Sequence, residues 1–339
     1  MGQGRGEGPS TLNLKPSPPL KRLLKLAISL VVRAWDILVA FALRLLGRRI
    51  RPSCVVIYYH AIDSGQRARF ARQMDDLVRL AKPVPAGVSS LPDSPAHYCA
   101  ITFDDGFVSV LENALAELEL RNIPATFFVP TGSLGGPPAW VKANSPARHQ
   151  RVLSAEQLAG LKDHRLLAIG SHSISHPNFL KLGPAETERE LEHSKAQLEA
   201  ILGRKVGLFS FPHGECDAQT IALARAAGYE RVFTINPCNA FIGADNFVIG
   251  RVLVDPADWP LEFRLKVLGA YRWLAKSHPK AAGTCPSPLP LPGAVHSPQL
   301  DEAGGRIPKG FRLKAQGCEQ RATLGKGTRA RSTPTGLRR

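Results

Sequence analysis

Seven runs of apolar, β-branched and aromatic residues alternate with segments of helical period between residues 53 and 274. Such short runs are typical of buried strands, and apolar residues at every third or fourth position are typical of amphipathic helices. Strands that alternate with helices predict a parallel α/β architecture. We predict a barrel, because no glycine-rich nucleotide-binding loop follows the first strands. The runs are CVVIYYH, YCAITFDD, PATFFVPT, LLAIGSH, GLFSFPH, RVFTIN and FVIGRVLV.

Ahead of these runs, residues 21–47 predict a basic amphipathic helix. At 100° per residue its polar side chains lie on one arc and its apolar side chains on the opposite arc. The charges at Lys25, Arg33, Asp36 and Arg44 interrupt the apolar run, so we expect neither a transmembrane span nor a cleaved signal peptide. Two interpretations stay open: a helix that lies in a membrane interface, and a helix that docks its apolar stripe on the protein's own core.

Charge is concentrated at the two ends of the chain. The net charge is +16, of which residues 1–52 contribute 10 − 2 = +8 and residues 275–339 contribute 12 − 3 = +9, so the middle carries 16 − 17 = −1. We therefore divide the chain into a basic N-terminal segment (1–52), a near-neutral middle domain (53–275) and a Pro/Gly-rich basic tail (276–339) that we predict to be disordered. The six scattered cysteines predict free thiols.

Four of the seven predicted strands end in Asp or His. In parallel α/β folds the carboxyl ends of the strands meet at one face, where functional side chains collect. Asp and His together are the ligands and proton carriers of a hydrolytic metal site, and two imidazoles with one carboxylate form a zinc ligand set. The residues at the strand ends are His60, Asp104 with Asp105, His172 with His176, and His213.

Simpler explanations exist for some of these residues. Gly106 favours a turn, and Asp105 at this position is able to cap the helix that we predict over 108–120. Capping would explain one acid and leave Asp104 unexplained. Gly170 and Pro177 flank the two histidines, which favours a strand that turns into a loop rather than two ligands on a helical face.

Five segments in this order resemble the polysaccharide deacetylases, the NodB-like domain of carbohydrate esterase family 4. The resemblance covers roughly residues 53–260 and implies a distorted (β/α)7-type barrel. The segments are YYHAI at 58–62, TFDDG at 102–106, HSISH at 172–176, FSFPHG at 209–214 and AGYERVFT at 227–234.

The resemblance implies that Asp105, His172 and His176 bind a divalent metal, usually zinc. Asp104 would be the general base for the metal-activated water that attacks the N-acetyl carbonyl. In many family members a late histidine protonates the departing amine. No such motif follows residue 215, and His60 fits the early YH motif that supplies this acid in a circularly permuted, poly-N-acetylglucosamine deacetylase-like subgroup. The alternative for His60 is a structural role.

Three further residues are candidates for oxyanion or substrate contacts. Ser210 occupies the position of a family arginine that tunes the base, and Arg251 would substitute for it from a neighbouring strand unless it forms a structural ion pair. His213 occupies the position of a tyrosine, so its backbone N–H would help to hold the oxyanion. Trp140 would stack on a sugar ring or simply pack.

The resemblance therefore implies a hydrolase that removes N-acetyl groups from the amino sugars of a polysaccharide or a lipid-linked glycan. We expect membrane association at the bacterial envelope through residues 21–47, with the side of the membrane open and a cytoplasmic location as an alternative. One competing hypothesis is an inactive carbohydrate-binding relative, for which Ser210 would be a symptom. Another is a nucleic-acid binder, which we do not expect because the motifs lie in the near-neutral middle of the chain.

Overall fold

A computed structural model describes residues 19–142, 144–241 and 245–275, and within them it has one parallel sheet surrounded by α-helices. The strands are β1 (Ser53–Tyr59), β2 (Lys82–Pro83), β3 (His97–Phe103), β4 (Ala125–Val129), β5 (Leu167–Ser171), β6 (Leu208–Ser210), β7 (Arg231–Thr234), β8 (Val248–Gly250) and β9 (Val252–Leu253). The helices are α1 (Pro19–Leu45), α2 (Arg67–Leu80), α3 (Val108–Asn113), α4 (Leu115–Leu120), α5 (Ala155–Gly160), α6 (Pro184–Leu202), α7 (Ala218–Ala226) and α8 (Pro260–Val267).

A single segment, residues 248–253, brings the two ends of the sheet together, so that the sheet forms a nearly closed barrel. The strands follow the order β8-β7-β6-β5-β4-β3-β1-β9, and β2 pairs with β3 outside this order. β8 pairs with β7 and β9 pairs with β1, so consecutive parts of one segment form both ends of the sheet. Arg251 is the residue between them. The predicted seven-strand barrel is thus confirmed, with the last predicted strand divided in two at the closure point.

Alternate residues of β1 point to opposite sides of the barrel wall, as the two-residue period of a strand requires. Val55, Ile57 and Tyr59 pack with the surrounding helices, where Tyr59 stacks on Phe103 with ring centroids 5.5 Å apart. Val56 belongs to a second buried cluster that includes side chains of several other strands. β1 is therefore buried on both faces, which explains why its sequence is continuously apolar.

Helix α1 docks on the barrel by a face that carries most of its polar contacts and also two partly buried apolar residues, Leu26 and Val32, which pack against the core. Arg22 pairs with Glu262 of α8 at 2.6 Å, and Trp273 donates a hydrogen bond of 2.9 Å to the buried hydroxyl of Ser29. Asp36 pairs with Arg272. The alternative in which the apolar stripe docks on the core is therefore wrong, because the opposite face makes these contacts.

The apolar side of α1 is largely exposed. Leu24, Val31, Leu38 and Leu45 are all exposed, and the helix is long and apolar enough to cross a membrane by length and composition. Length and composition alone do not decide between a span and an interfacial helix, so our expectation that the charges exclude a span stays a prediction.

Cys54, Cys99 and Cys216 are free thiols, as predicted. The predicted tail at 276–339, with Cys285 and Cys318, lies outside the described residues. So do the first 18 residues of the basic N-terminal segment.

Closure of the barrel requires a glycine at position 250. A Cβ atom placed on Gly250 would lie 1.8 Å from the carbonyl oxygen of Asn236. We expect Gly250→Ala to lower the free energy of unfolding by about 1–3 kcal/mol, because backbone would have to move. Gly160→Ala is the matched control, since no atom lies within 4 Å of its Cβ position. Equal unfolding midpoints in denaturant for both variants would contradict this account of the closure.

Candidate active site

A pocket of about 430 Å³ opens where the strands β1, β3 and β5 end. It brings together seven of the eight side chains that the sequence singled out. The eighth, Arg251, is fully buried and binds the carboxylate of Asp104. The seven residues that line the pocket are His60, Asp104, Asp105, Trp140, His172, His176 and His213.

A left-handed turn gives the two neighbouring acids, Asp104 and Asp105, different surroundings. Asp104 still belongs to the barrel wall, because its backbone N–H donates to the carbonyl of Tyr59 at 2.9 Å. Asp105 and Gly106 then adopt φ of 70° and 58°. Helix α3 begins later, with Phe107 at its N-cap position and no side-chain cap. The capping explanation of Asp105 is therefore wrong, and the turn instead directs its carboxylate towards the two histidines.

The loop after β5 carries both histidines and is held by one buried acid, Glu190 of α6. Ile174 and Ser175 donate their backbone N–H groups to Glu190 Oε2 at 2.8 and 3.0 Å, and the Ser175 hydroxyl donates to Oε1 at 2.7 Å. His176 reaches its position with φ of 59°, a conformation that a non-glycine residue adopts only when its surroundings impose it. Glu190 thus fixes the spacing of the two imidazoles.

Asp105, His172 and His176 form a buried cluster with the geometry of a metal site. Asp105 Oδ1 lies 3.6 Å from His172 Nε2 and 3.2 Å from His176 Nε2. Neighbouring ligands of a tetrahedral zinc ion are about 3.3 Å apart when the bonds are about 2.0–2.1 Å. Among the described residues, Asp105 Oδ1 has no hydrogen-bond partner although it is buried. An orphaned carboxylate oxygen that faces two imidazole nitrogens fits a divalent cation.

The protonation states of Asp105 and His172 are those that a metal requires. His172 Nδ1 lies 2.7 Å from the carbonyl of Ser210, to which it donates, so that Nε2 carries the free lone pair. Burial lowers the pKa of His172 to about 4, which keeps the ring neutral at neutral pH. Burial alone would raise the pKa of Asp105, but the neighbouring His176, His60 and His172 hold it well below its usual range.

Arg251 uses all five of its N–H donors inside the barrel. Nη1 donates to Asp104 Oδ1 at 2.7 Å and Nη2 to Asp104 Oδ2 at 2.8 Å, a bidentate pair. The other donors reach Thr102 Oγ1, Ser210 Oγ and the carbonyl of Thr234. The guanidinium therefore contacts the same carboxylate that the resemblance assigns as the base.

Two opposing effects set the pKa of Asp104. Burial raises it, but the positive charge of Arg251, with smaller contributions from His172, His60 and the Arg251 hydrogen bonds, outweighs burial and leaves the pKa below its usual range. Asp104 is therefore ionised at neutral pH and is able to accept a proton.

The remaining predicted residues surround this centre. His60 follows β1 and lines the pocket beside Tyr58, with ring centroids 5.5 Å apart. His213 has φ of 60° and its ring centroid lies 4.8 Å from that of His176. The Trp140 indole stacks on the His176 imidazole at 4.7 Å and 16°. Trp140 thus covers a candidate metal ligand, and its contact with a sugar stays a prediction.

Sequence reasoning missed the polar wall of the pocket formed by Asp63 and Gln150. Gln150 is buried and donates to Asp63 Oδ1 at 2.6 Å. It also missed Glu190, for which a signal existed. Glu190 falls on the buried face of α6 with Thr187, Leu191 and Ser194, where an unpaired acid would be costly.

Comparisons with known proteins agree with this geometry. The family model described as polysaccharide deacetylase matches residues 92–232. The Bacillus subtilis protein YxkH, named as a polysaccharide deacetylase, is 26% identical over 212 residues, 59% of this chain and 71% of the relative. The poly-β-1,6-N-acetyl-D-glucosamine N-deacetylase of Staphylococcus epidermidis is 25% identical over 162 residues, which are 45% of this chain and 53% of that enzyme.

Solved structures share the barrel. IcaB from Ammonifex degensii superposes with a TM-score of 0.54 and 27% identity, covering 65% of this chain and 97% of IcaB. The Streptococcus pyogenes deacetylase PplD, in complex with acetate, has a TM-score of 0.52 at 18% identity over 64% of this chain and 99% of PplD, which shows a common fold.

The parallel barrel places an Asp–His–His cluster beside a carboxylate that an arginine binds. Together with the comparisons, this arrangement defines the protein as a deacetylase-type hydrolase. The chain is similar to the polysaccharide deacetylases in its sequence over residues 92–232 and in its fold. His60 and Arg251 lie outside the matched residues 92–232, yet the fold brings both to the site.

The role of Glu190 is testable without a substrate. We expect Glu190→Gln to lower the free energy of unfolding by about 1–3 kcal/mol, because an amide replaces one acceptor oxygen with a donor that faces N–H groups. Glu192→Gln, at an exposed position of the same helix, is the matched control and should change little. The measurement is unfolding in denaturant without added metal. Equal stability of the two variants would show that Glu190 does not hold the histidine loop.

Proposed function

We propose that this protein is a metal-dependent hydrolase that removes N-acetyl groups from N-acetylated amino sugars of a polysaccharide or a lipid-linked glycan. The observation that carries the proposal is the orphaned Asp105 Oδ1, which faces two imidazole nitrogens beside the ionised Asp104. The similarity to a poly-β-1,6-N-acetyl-D-glucosamine N-deacetylase makes β-1,6-linked N-acetylglucosamine oligomers the first substrates to test.

We assign Asp105, His172 and His176 as the ligands of a divalent cation, with Zn²⁺ as the first candidate because two imidazoles and a carboxylate suit it. A cation at this position would lower the pKa of a water in its open coordination position and would polarise the acetyl carbonyl. The buried hydrogen bond from His172 Nδ1 to the carbonyl of Ser210 would hold the imidazole in the orientation that metal binding requires.

Asp104 is the proposed general base. Arg251 and Ser210 contact its carboxylate oxygens, so its orientation is fixed before substrate arrives. Water adds to the amide carbonyl as its proton moves to Asp104. The backbone N–H of His213 is the proposed donor to the oxyanion.

His60 is the proposed general acid. The C–N bond breaks only if the departing nitrogen gains a proton, and His60 reaches the pocket from the end of β1, whereas the metal cluster comes from β3 and β5. Its proton goes to the sugar amine, and acetate is the second product. This assignment agrees with the early YH motif of the permuted subgroup.

The competing hypothesis was an inactive carbohydrate-binding relative, motivated by Ser210 at the position of the family arginine. Arg251 places a guanidinium on Asp104 from the closure segment, and Ser210 bonds to that same guanidinium. Because the replacement has a compensating partner, the observation favours an active enzyme. We also propose that α1 attaches the enzyme to a membrane of the bacterial envelope.

Acetate release from β-1,6-linked N-acetylglucosamine oligomers tests the function. We expect turnover that a chelator abolishes and added Zn²⁺ restores, and a loss of kcat of at least about 10²-fold in Asp104→Asn.

His60→Asn should lower kcat by a similar factor, while the metal content of the variant stays that of the wild type. Asp245→Asn, an exposed ion-pair residue, is the matched control. Oligomer binding without acetate release by the metal-loaded wild type would instead support the inactive relative.

Arg251 should control the acid limb of the pH profile. In Arg251→Lys the charge remains but the bidentate fork is lost, so burial raises the pKa of Asp104 with less opposition. Because Asp104 acts ionised, the acid limb of kcat/KM should move to higher pH, with the greatest loss of activity on the acid side. Arg231→Lys is the control, since this buried arginine bonds to the backbone carbonyls of Ala86 and Asn246. An unmoved acid limb in Arg251→Lys would contradict the role of Arg251.

A further inference from the structure

The outward face of α1 is a regular apolar stripe that nothing in the described part of the chain covers. It consists of Leu24, Val31, Leu38 and Leu45, spaced seven residues apart and 60%, 69%, 61% and 73% exposed. Trp35 and Phe41 flank this stripe and are more than half exposed. Exposed apolar patches of this size mark interaction sites.

The charges around the outward face have one sign. Lys21, Lys25 and Arg44 are exposed on α1, and Arg48 and Arg49 follow the helix. The single acidic residue between positions 20 and 51 is Asp36, which Arg272 neutralises. An apolar stripe on a helix whose exposed charges are all basic complements a bilayer that contains anionic lipids.

One end of α1 lies beside the pocket. Arg22 donates to the carbonyl of Ala257 at 3.2 Å and lies 3.9 Å from Asp258. Asp258 in turn accepts from the backbone N–H of Asp255, a pocket-lining residue. The first turn of α1 therefore contacts the segment that forms one wall of the pocket.

The other end of the docked face lies towards the opposite end of the barrel. Asp36 contacts Arg272, which follows α8, and α8 ends at Val267, whose carbonyl bonds to His97 at the first position of β3. Arg22 and Asp36 are 14 residues apart, so the docked part of α1 is about 21 Å long. Helix α1 therefore runs along the flank of the barrel from its pocket end.

We propose that α1 lies in the plane of an anionic lipid bilayer while it stays docked on the barrel, so that the pocket opens along the membrane surface. In this arrangement the outward face enters the lipid, and Arg22, Ser29 and Asp36 keep their partners on the barrel. A span would break the contacts of Ser29 and Asp36 with the barrel and would bring Arg33 and Asp36 into hydrocarbon.

This geometry also defines a substrate class, a step that rests on the proposed deacetylase function. A pocket held beside the bilayer favours glycans that are attached to lipid or are still close to the membrane, because their effective concentration at the pocket is raised. The concentration of a free oligomer at the pocket is not raised when α1 binds the membrane.

Tryptophan scanning of the outward face tests the orientation. In a Trp35→Phe parent, the full chain carries Leu24→Trp, Val31→Trp, Leu38→Trp or Leu45→Trp, one at a time. Vesicles of phosphatidylglycerol and phosphatidylcholine carry bromine near the headgroup or deep in the acyl chain. We expect similar quenching at all four positions, stronger with shallow bromine, and weaker binding to vesicles of phosphatidylcholine alone or at high salt.

The control for the scan is Leu120→Trp, an exposed leucine (77%) on α4 that should show no quenching. Deep quenching at 31 and 38 with shallow quenching at 24 and 45 would show a span and overturn the proposal. A blue shift that depends on protein concentration without vesicles would show a second copy on this face and would equally overturn it. Absence of quenching at all four positions would do the same.

A second measurement tests the coupling to the pocket. We expect Asp36→Arg to lower deacetylation of a lipid-anchored oligosaccharide in vesicles several-fold while leaving turnover of free oligomer unchanged, and Asp36→Arg with Arg272→Asp to restore it. Equal effects on both substrates would overturn the coupling. Lack of turnover with free oligomer in the wild type would instead refute the proposed function and leave the quenching result valid.

Discussion

The buried pair between Arg251 and Asp104 connects the architecture of this protein to its chemistry. A fully buried guanidinium is tolerated only when its donors are matched, and here five acceptors from β3, β6, β7 and the residue after β3 surround it. Arg251 lies where the sheet closes on itself, so the closure segment cannot shift without disturbing the carboxylate. Fold and candidate base therefore depend on one interaction.

The same constraint explains why the two adjacent acids, Asp104 and Asp105, have different surroundings. Asp104 continues the barrel wall and meets the guanidinium, whereas the left-handed turn at Asp105 carries the next carboxylate to the imidazoles. The guanidinium of Arg251 balances the charge of Asp104. Asp105 instead faces the imidazoles of His172 and His176, and no lysine or arginine among the described residues pairs with it. That asymmetry is the physical basis for assigning a base and a metal ligand to neighbouring positions.

Local pattern was sufficient for much of the fold and of the site. The seven strands, α6 and the residues that meet in the pocket followed from periodicity, strand ends and spaced motifs. The division of residues 248–253 between two edges of the sheet did not, because closure depends on pairing between the first and last strands. For the same reason the sequence left two alternatives for Arg251, a contact with the base or a structural ion pair elsewhere. The structure shows that its guanidinium binds the carboxylate of Asp104. Glu190 was missed because its partners are backbone groups of a loop.

Helix α1 shows what amphipathic periodicity leaves undetermined. The pattern identifies two faces, and the usual assumption is that the apolar one packs on the protein. Whether this holds depends on the surface that the domain offers, and here α8 and the residues after it present Glu262, Arg272 and Trp273, which match the polar face. Docking of that face buries the Ser29 hydroxyl, pairs Arg22 and Asp36 with opposite charges and leaves the apolar stripe outside. Because Arg22, Ser29 and Asp36 already have partners on the barrel, lipid contact with the exposed apolar stripe would bury apolar surface without removing a partner from these side chains.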